Sequence, residues 1–257
     1  MKKNVLKLCT GLLSFFVFFS CLADKEEVYV SYGVIHNVHS SNDYEILTDK
    51  RNTLMVTKSF TNGKIEEGKR VLVNFEILSE KERNGNIYEV SVNGFYNLLS
   101  KPVINESFIL EEEATRRDSI GNDPFTLVLA GFGGDYVNID FNMLYLNHSH
   151  TKHLINLIYD DTRADADTIY LTLCHNAYGE VAGKGYYLQD GVGRSSFKIS
   201  DLLPPGVTSK HVQIAWLEAD YYTTRERVWI GMYKLSDASN SNYKSQHIGF
   251  DSSFEIR

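Results

Sequence analysis

Residues 70–96 read RVLVNFEILSEKERNGNIYEVSVNGFY, and we begin from the pattern within this stretch. Apolar and polar side chains alternate on both sides of Asn84-Gly85, which is typical of two half-buried strands. The Asn84-Gly85 pair favours a tight hairpin, because both residues tolerate positive φ. We therefore predict strands at Arg70–Leu78 and Ile87–Tyr96. The residues predicted to share one face of the first strand are Val71, Val73, Phe75 and Ile77.

The same alternation continues on the N-terminal side of this hairpin. Strands are predicted at Val28–Ile35, Tyr44–Thr48 and Leu54–Thr57, with a short turn at Asp49-Lys50-Arg51-Asn52. Five strands rich in β-branched and aromatic residues within such a short segment suit a small closed barrel. We therefore predict an OB-like five-stranded β-barrel over residues 28–100.

The second half of the chain also lacks helical periodicity. Lys101-Pro102 and the acidic cluster Glu111–Glu113 predict that residues 101–117 form a linker or an edge strand. Residues 118–257 then carry seven or eight strands, which predicts an antiparallel, immunoglobulin-like β-sandwich in an all-β protein. The predicted strands are Phe125–Ala130, Tyr136–Tyr145, His153–Tyr159, Ile169–His175, Ser195–Ile199, Val212–Leu217, Val228–Tyr233 and Ile248–Ile256.

The N-terminus has the features of an export signal. Three lysines precede an apolar run from Leu12 to Phe19, and a small residue stands directly before Cys21. The run is shorter than the ~20 residues that span a bilayer. We therefore predict a lipoprotein signal peptide at residues 1–20, lipidation of Cys21 and an acidic tether at residues 21–27. Ordinary secretion, with cleavage near Ala23, is the alternative.

Charge and cysteine content narrow the possible partners. Three of the 26 Lys and Arg residues leave with the signal, so 23 remain against 33 Asp and Glu, a formal charge of −10. Such a surface repels phosphate backbones, and the barrel segment lacks the basic groove that single strands require, so we predict no nucleic-acid partner. Cys9 leaves with the signal and Cys21 carries lipid, so Cys174 is predicted to be a half-buried structural thiol.

Four short strings resemble segments of the NigD-like lipoproteins of Bacteroidota. They are RVLVNF (70–75), DSIGNDP (118–124), KHLINL (152–157) and HNAYG (175–179), in the order and spacing of that family. The resemblance covers essentially the whole mature chain. It implies a lipid-anchored envelope protein with an N-terminal OB-like domain and a C-terminal β-sandwich, and it places the lipidated cysteine at Cys21. It implies no catalytic residues, and the family takes its name from a bacteriocin locus.

Two clusters are candidate metal ligands. His148-Ser149-His150 lies near His153, and imidazoles at i and i+2 on a strand share a face. We favour the alternative of a polar loop, with His153 packed at the start of the next strand. The loop Asp160–Asp167 offers four carboxylates, but it lacks the glycine and terminal Glu of an EF-hand loop. We therefore predict a solvated hairpin connection, no metal and no other cofactor.

The remaining sequence patterns give little indication of a catalytic site. Gly131–Gly134 is predicted to be a hairpin turn rather than a phosphate-binding loop, because a strand follows it instead of a helix. Cys174 and His175 are adjacent in a predicted strand, so their side chains point to opposite faces and make a poor nucleophile–base pair. Tyr186-Tyr187 and Tyr221-Tyr222 flank loops, where tyrosine rings stack on sugars or anchor protein partners.

These observations predict a non-enzymatic, lipid-anchored protein of the cell envelope, at the outer membrane. We expect it to act as a binding module for another envelope protein or a glycan. A bacteriocin-immunity or other protective role is the first alternative. A hydrolase that uses acidic residues matching no known motif, or a metal centre at His148, His150 and His153, is the second.

Overall fold

The computed structural model describes residues 27–61, 64–81, 86–111, 118–146, 151–163, 167–180, 188–219 and 223–235. In these residues the chain forms a closed β-barrel followed by a β-sandwich, which confirms the predicted all-β fold class. Among them, no helix combines the length and the apolar character needed to cross a membrane. Several predicted features lie outside these ranges, namely the signal peptide, Cys21, Asn84-Gly85, His148, His150, Tyr186-Tyr187, Tyr221-Tyr222 and Ile248–Ile256.

The barrel contains five strands. They are β1 (Val28–Ser40), β2 (Asp43–Thr48), β3 (Thr53–Ser59), β4 (Arg70–Glu80) and β5 (Ile87–Asn97), in the closed order β1-β2-β3-β5-β4. The β3–β5 pair is parallel and the other pairs are antiparallel. The barrel core comprises Ile35, Tyr44, Ile46, Leu54, Val56, Val71, Val73, Phe75, Val90 and Val92.

One residue of the predicted β4 face is not in this core. Val71, Val73 and Phe75 are buried as predicted, whereas Ile77 is 38% exposed. The first residue of β1 pairs with Glu76, so Ile77 lies beyond the last residue of β4 that β1 covers. The alternation of β4 is therefore correct, but the barrel ends before the strand does.

The sandwich begins at the end of the barrel, and the part of it that the structure describes contains nine strands. They are β6 (Leu99–Pro102), β7 (Ile104–Asn105), β8 (Thr126–Gly133), β9 (Tyr136–Leu146), β10 (Leu154–Tyr159), β11 (Thr168–Asn176), β12 (Leu188–Lys198), β13 (Ser209–Ala219) and β14 (Thr224–Lys234), with a short helix α1 (Glu106–Glu111). One sheet has the order β14-β13-β11-β10-β7, and the other has the order β6-β12-β9-β8. The pairs β7–β10, β6–β12 and β11–β13 are parallel, and the rest are antiparallel.

The segment predicted as a linker at 101–117 contains regular structure in its described part. Strands β6 and β7 are edge strands of opposite sheets, so the described start of this segment pairs with the sandwich. The Lys101 ammonium crosses between the sheets and donates hydrogen bonds to the Ile155 carbonyl at 3.0 Å and to Asn156 Oδ1 at 2.9 Å. This internal use of a lysine was not visible in the sequence.

The sandwich core follows the predicted alternation of β9. Its inward residues Val137, Ile139, Phe141 and Met143 are all buried. They pack against inward residues of the facing sheet and neighbouring strands, including Ile155, Leu157, Leu171, Leu173, Phe197, Val212, Ile214 and Tyr233. Side chains on the other face of β9 are therefore available for contacts outside the sandwich.

Candidate binding site at the junction of barrel and sandwich

A buried polar cluster joins the barrel to the outer face of the four-stranded sheet. The guanidinium of Arg70, the first residue of β4, donates to both carboxylate oxygens of Asp49, at 2.5 and 2.6 Å. It also donates to Asn138 Oδ1 at 2.9 Å and to Ser196 Oγ at 3.3 Å in the sandwich. Asn138 Nδ2 in turn donates to Asp49 Oδ2 at 2.9 Å. All four side chains are buried, so their hydrogen bonds replace lost contacts with water.

Small and aromatic residues let the two domains approach closely at this cluster. A Cβ atom at Gly133 would overlap the Asp49 carboxylate, so only glycine fits at this position of β8. The Tyr136 ring lies 4.2 Å from the Arg70 guanidinium carbon, in a cation–π contact. The cluster therefore fixes the barrel against β8, β9 and β12.

A second, less buried contact lies next to this cluster. The Tyr32 hydroxyl of the barrel donates to Asp140 Oδ1 at 3.2 Å. On the other side, Arg194 Nε lies 3.4 Å from Asp140 Oδ2, at ion-pair distance but without hydrogen-bond geometry. Burial raises the pKa of the Asp140 carboxyl, and the Arg194 charge opposes that shift. The Arg194 guanidinium also lies 5.9 Å from the Tyr96 ring of the barrel.

Beyond this contact, the outer face of the four-stranded sheet is open to solvent. We define the open face as Val128, Leu129, Leu144 and Val192, whose exposed fractions are 56%, 37%, 40% and 50%. Val192 of β12 pairs with Asn142 of β9, two residues along the strands from the pair of Arg194 with Asp140. In β8 the pairing skips a residue between Leu127 and Leu129, so Val128 is the extra residue of a bulge. The bulge brings two apolar side chains to the surface in succession.

The open face has the composition of a recognition surface. Four aliphatic side chains lie on the same face of the sheet as the partly buried ion pair of Arg194 and Asp140, and Tyr32 and Tyr96 of the barrel contact that pair. Exposed apolar patches with a polar border mark interaction sites on soluble domains. Arginine is enriched at the centre of such interfaces. This arrangement makes the open face the candidate surface for binding a partner by shape and apolar contact.

The predicted site residue His153 lies elsewhere, in the interior of the sandwich. It is fully buried at the start of β10, and His175 Nε2 and Glu180 Oε2 lie 3.0 and 3.2 Å from its two ring nitrogens. Glu180 also accepts from the Leu146 backbone N–H at 3.0 Å. The packed His153 that we favoured is therefore correct. His148 and His150 lie outside the described residues.

The partners of this histidine pair assign one of its protons. A carboxylate only accepts, so His153 Nε2 carries a hydrogen toward Glu180. The other ring nitrogen, Nδ1, shares a hydrogen bond with His175 Nε2. Burial, and secondarily the nearby His153, lower the pKa of His175 to about 4. The two rings therefore form a hydrogen-bonded chain that ends on Glu180.

The acidic loop forms turn contacts in its described part. Asp160 Oδ1 accepts from the backbone N–H groups of Thr162 and Arg163, at 3.2 and 3.1 Å. The Asp161 carboxylate accepts from the Ser107 backbone N–H at 2.8 Å and from its hydroxyl. Asp165 lies outside the described residues. Among the residues that the structure does describe, no group of three or more His, Cys, Asp or Glu side chains is arranged to hold a metal ion.

Cys174 and His175 lie on opposite faces of β11, as predicted. Cys174 packs with Ile109 of α1 and Ile158 of β10 on the outer side of the sheet. The His175 ring points inward, with the Phe125 ring 5.8 Å from it. Gly131–Gly134 forms the predicted hairpin between β8 and β9, and Gly134 has a φ of 55°.

Sequence reasoning missed the residues that join the domains. Asp49 was assigned to a surface turn and Arg70 to the start of a strand, whereas both are buried at the junction. The one available indication was that Arg70 opens an otherwise apolar strand segment, RVLV. Asn138, Asp140, Arg194 and Ser196 gave no indication, because outward polar residues normally face water.

The chain therefore has two domains, an OB-like barrel and a β-sandwich, with a partly apolar surface near their junction. Residues 32–97 match the NigD-like N-terminal OB domain, and residues 107–228 match the NigD-like C-terminal beta sandwich domain. These two matches cover most of the chain, which belongs to the NigD-like family. No curated protein sequence matches it.

Solved structures of Bacteroides and Parabacteroides proteins share this fold. A Bacteroides vulgatus protein of unknown function has a TM-score of 0.64 at 20% identity, over 82% of this chain and 92% of that one. A toxin-related protein from Parabacteroides distasonis has a TM-score of 0.61 at 24% identity, over 82% and 96%. A NigD-like immunity protein from Bacteroides caccae has a TM-score of 0.57 at 19% identity, over 79% and 92%.

Proposed function

We propose that this chain is a lipid-anchored, non-enzymatic protein of the cell envelope that binds another protein through its open face. The observation that carries the proposal is the exposed set Val128, Leu129, Leu144 and Val192 beside a barrel held by buried hydrogen bonds. Because the junction is already rigid, a partner that touches both domains loses little entropy in ordering them.

A protein partner fits this surface better than a glycan does. Sugars are held chiefly by exposed aromatic rings that stack on them, whereas the open face is aliphatic. Of the tyrosines that contact Asp140 and Arg194 here, Tyr32 is 6% exposed and Tyr96 is half-buried. The predicted lipid at Cys21 would hold the surface near the membrane, where envelope proteins are available as partners.

An immunity role is the second candidate, and the comparisons favour it. Two proteins with this fold are described as a NigD-like immunity protein and as toxin-related. If this chain acts in the same way, the protein bound at the open face is a secreted toxin. Binding at this face and protection of the cell would then be lost together.

The test compares two double variants, each in cells that carry only the altered gene. Leu144→Lys with Val192→Lys places two cations on the open face, whereas Met55→Lys with Leu78→Lys places two on similarly exposed apolar residues of the barrel as the matched control. Chemical crosslinking on whole cells, with mass spectrometry, identifies neighbours of the wild-type protein. We expect a specific neighbour that the open-face variant loses and the control keeps.

Two results bear on the choice between the candidates. A neighbour of the cell's own envelope supports the first, whereas new sensitivity of the open-face variant to toxin from a related strain supports immunity. Equal crosslinking of all three proteins, with equal toxin resistance, would contradict binding at the open face.

A further inference from the structure

Strand β14 forms the edge of the five-stranded sheet and presents an apolar row to solvent. Within the described ranges, its one strand neighbour is β13. Val228, Ile230 and Met232 on its outer face are 46%, 64% and 44% exposed. Proteins normally protect a long edge strand, because its unpaired N–H and C=O groups invite pairing with another strand. This eleven-residue edge is therefore a candidate interface.

The inner face of β14 is held firmly, which fixes the direction of the outer row. The Phe132 ring of β8 lies 5.3 Å from the Trp229 ring and 5.4 Å from the Tyr233 ring. The buried Tyr233 hydroxyl donates to the Gly134 carbonyl at 3.2 Å. The outer residues thus do not turn inward, and the edge is presented as a regular strand.

We propose that a second copy of this chain binds this edge, with β14 antiparallel to β14 about a two-fold axis at Ile230. In this register the two Ile230 side chains face each other, and Val228 faces Met232 of the second copy. Glu226 then faces Lys234 of the second copy, and the symmetry makes this charge pair twice. The two five-stranded sheets would join into one continuous sheet.

The order of residues along β14 selects this register. An axis at Trp229 places Glu226 opposite Met232, and an axis at Gly231 places Lys234 opposite Val228. Either shift puts a charge against an apolar side chain, which is unfavourable for cross-strand pairs. The outer face of β14 is therefore complementary to itself in a single antiparallel alignment.

The dimer is expected to be weak in solution and favoured on a membrane. One pair of strand edges buries little area, so we expect a dissociation constant of roughly micromolar order. Confinement of both copies to one membrane surface raises their effective concentration. The interface lies on the sheet opposite the open face, so its failure and the failure of the proposed function are distinguishable.

The first experiment is a charge exchange, measured by sedimentation equilibrium on the mature chain with Cys21→Ala. We expect the wild type to dimerise, and Glu226→Lys and Lys234→Glu each to weaken dimerisation about tenfold. The double variant should restore it, since the pairs re-form with opposite polarity. Ile230→Lys should abolish the dimer, and Leu78→Lys, a control at an exposed aliphatic residue of the barrel, should leave it unchanged.

The second experiment tests the register with single cysteines in the same protein. Under a mild oxidant, Ile230→Cys should crosslink to itself across the axis, whereas Val228→Cys should not, because it faces Met232. A wild type that stays monomeric overturns the proposal. A dimer that forms only after deletion of residues 236–257 also overturns it, because that segment would then be what covers the edge of β14 in the full chain. A dimer that is indifferent to all the β14 substitutions would place the interface elsewhere.

Discussion

Arg70 and Asp49 form a two-point ion pair inside the junction, with Nη1 2.5 Å from Oδ1 and Nη2 2.6 Å from Oδ2. Both residues belong to the barrel, but other hydrogen bonds of their side chains go to Asn138 and Ser196 of the sandwich. A charge pair within one domain thereby becomes the attachment point for the other. The stability of the whole molecule should depend on it.

Removal of one member of this pair should be strongly destabilising. Asp49→Ala leaves the Arg70 guanidinium buried without its counter-charge, which typically costs about 3–5 kcal/mol in the free energy of unfolding. Urea denaturation of the mature chain measures this loss. The matched control is Arg51→Ala, which breaks an exposed ion pair with Asp135 between the same two domains and should cost about 0–1 kcal/mol. Equal losses from the two variants would contradict a special role for the buried pair.

The close approach at Gly133 predicts a steric effect of a single methyl group. Gly133→Ala drives the new Cβ into the Asp49 carboxylate, which must shift and lose hydrogen bonds. We expect a loss of about 1–3 kcal/mol in unfolding free energy, as in other overpacked sites. Gly94→Ala in β5 is the control, because its Cβ would meet no atom within 4 Å. A difference of less than about 0.5 kcal/mol between them would argue against tight packing here.

Acidification should destabilise the sandwich through His175. Burial and then His153 lower its pKa to about 4, from 6.5, whereas Asp123 favours its protonated form. The folded state thus binds fewer protons than the unfolded state. The His175 contribution is full above about pH 6.5 and is lost as the pH falls to 4, at a cost of at most about 3 kcal/mol.

This pH dependence is measured by urea unfolding at several pH values between 7.5 and 4. The His175→Gln variant should lose less stability on acidification than the wild type does. His211→Gln, at an exposed histidine of β13, should keep the wild-type dependence. If the unfolding free energies of wild type and His175→Gln change with pH in parallel, His175 is not the cause of the acid destabilisation.

The predicted lipidation of Cys21 implies a change of location on substitution. Cys21→Ala should be released into a soluble fraction, because it lacks the acyl groups that are the predicted anchor. Membrane fractionation checks this, and protease treatment of intact cells locates the wild type. Degradation from outside would place it on the cell surface, and protection would place it toward the periplasm. Equal membrane retention of both proteins would contradict the anchor.

Local pattern predicted most of the strands correctly. The alternation in β4, β5 and β9 identified buried faces, since period-two burial is set by the geometry of a single strand. Ile77 was misplaced because the extent of β4 covered by β1 depends on pairing between distant residues. The segment around Lys101-Pro102 was ambiguous for the same reason, because an edge strand is defined by its neighbour.

The candidate site was the part that sequence could not predict. Asp140 and Arg194 lie 54 positions apart and meet Tyr32 of the barrel only through domain packing. The bulge that exposes both Val128 and Leu129 is likewise set by the register between β8 and β9. Of the three candidate histidines, His153 is the one that the structure describes, and its partners His175 and Glu180 were not foreseen.

The sequence by itself determined the all-β class, the order of most strands, the family and the expectation of a lipid anchor, because these depend on local periodicity and short motifs. Tertiary structure decided which polar residues are buried, where the barrel covers the sandwich, and which apolar residues stay exposed. The physical reason is that burial of Asp49 and Arg70 is stable only when both find hydrogen-bond partners across the junction. No single segment of the chain contains that information.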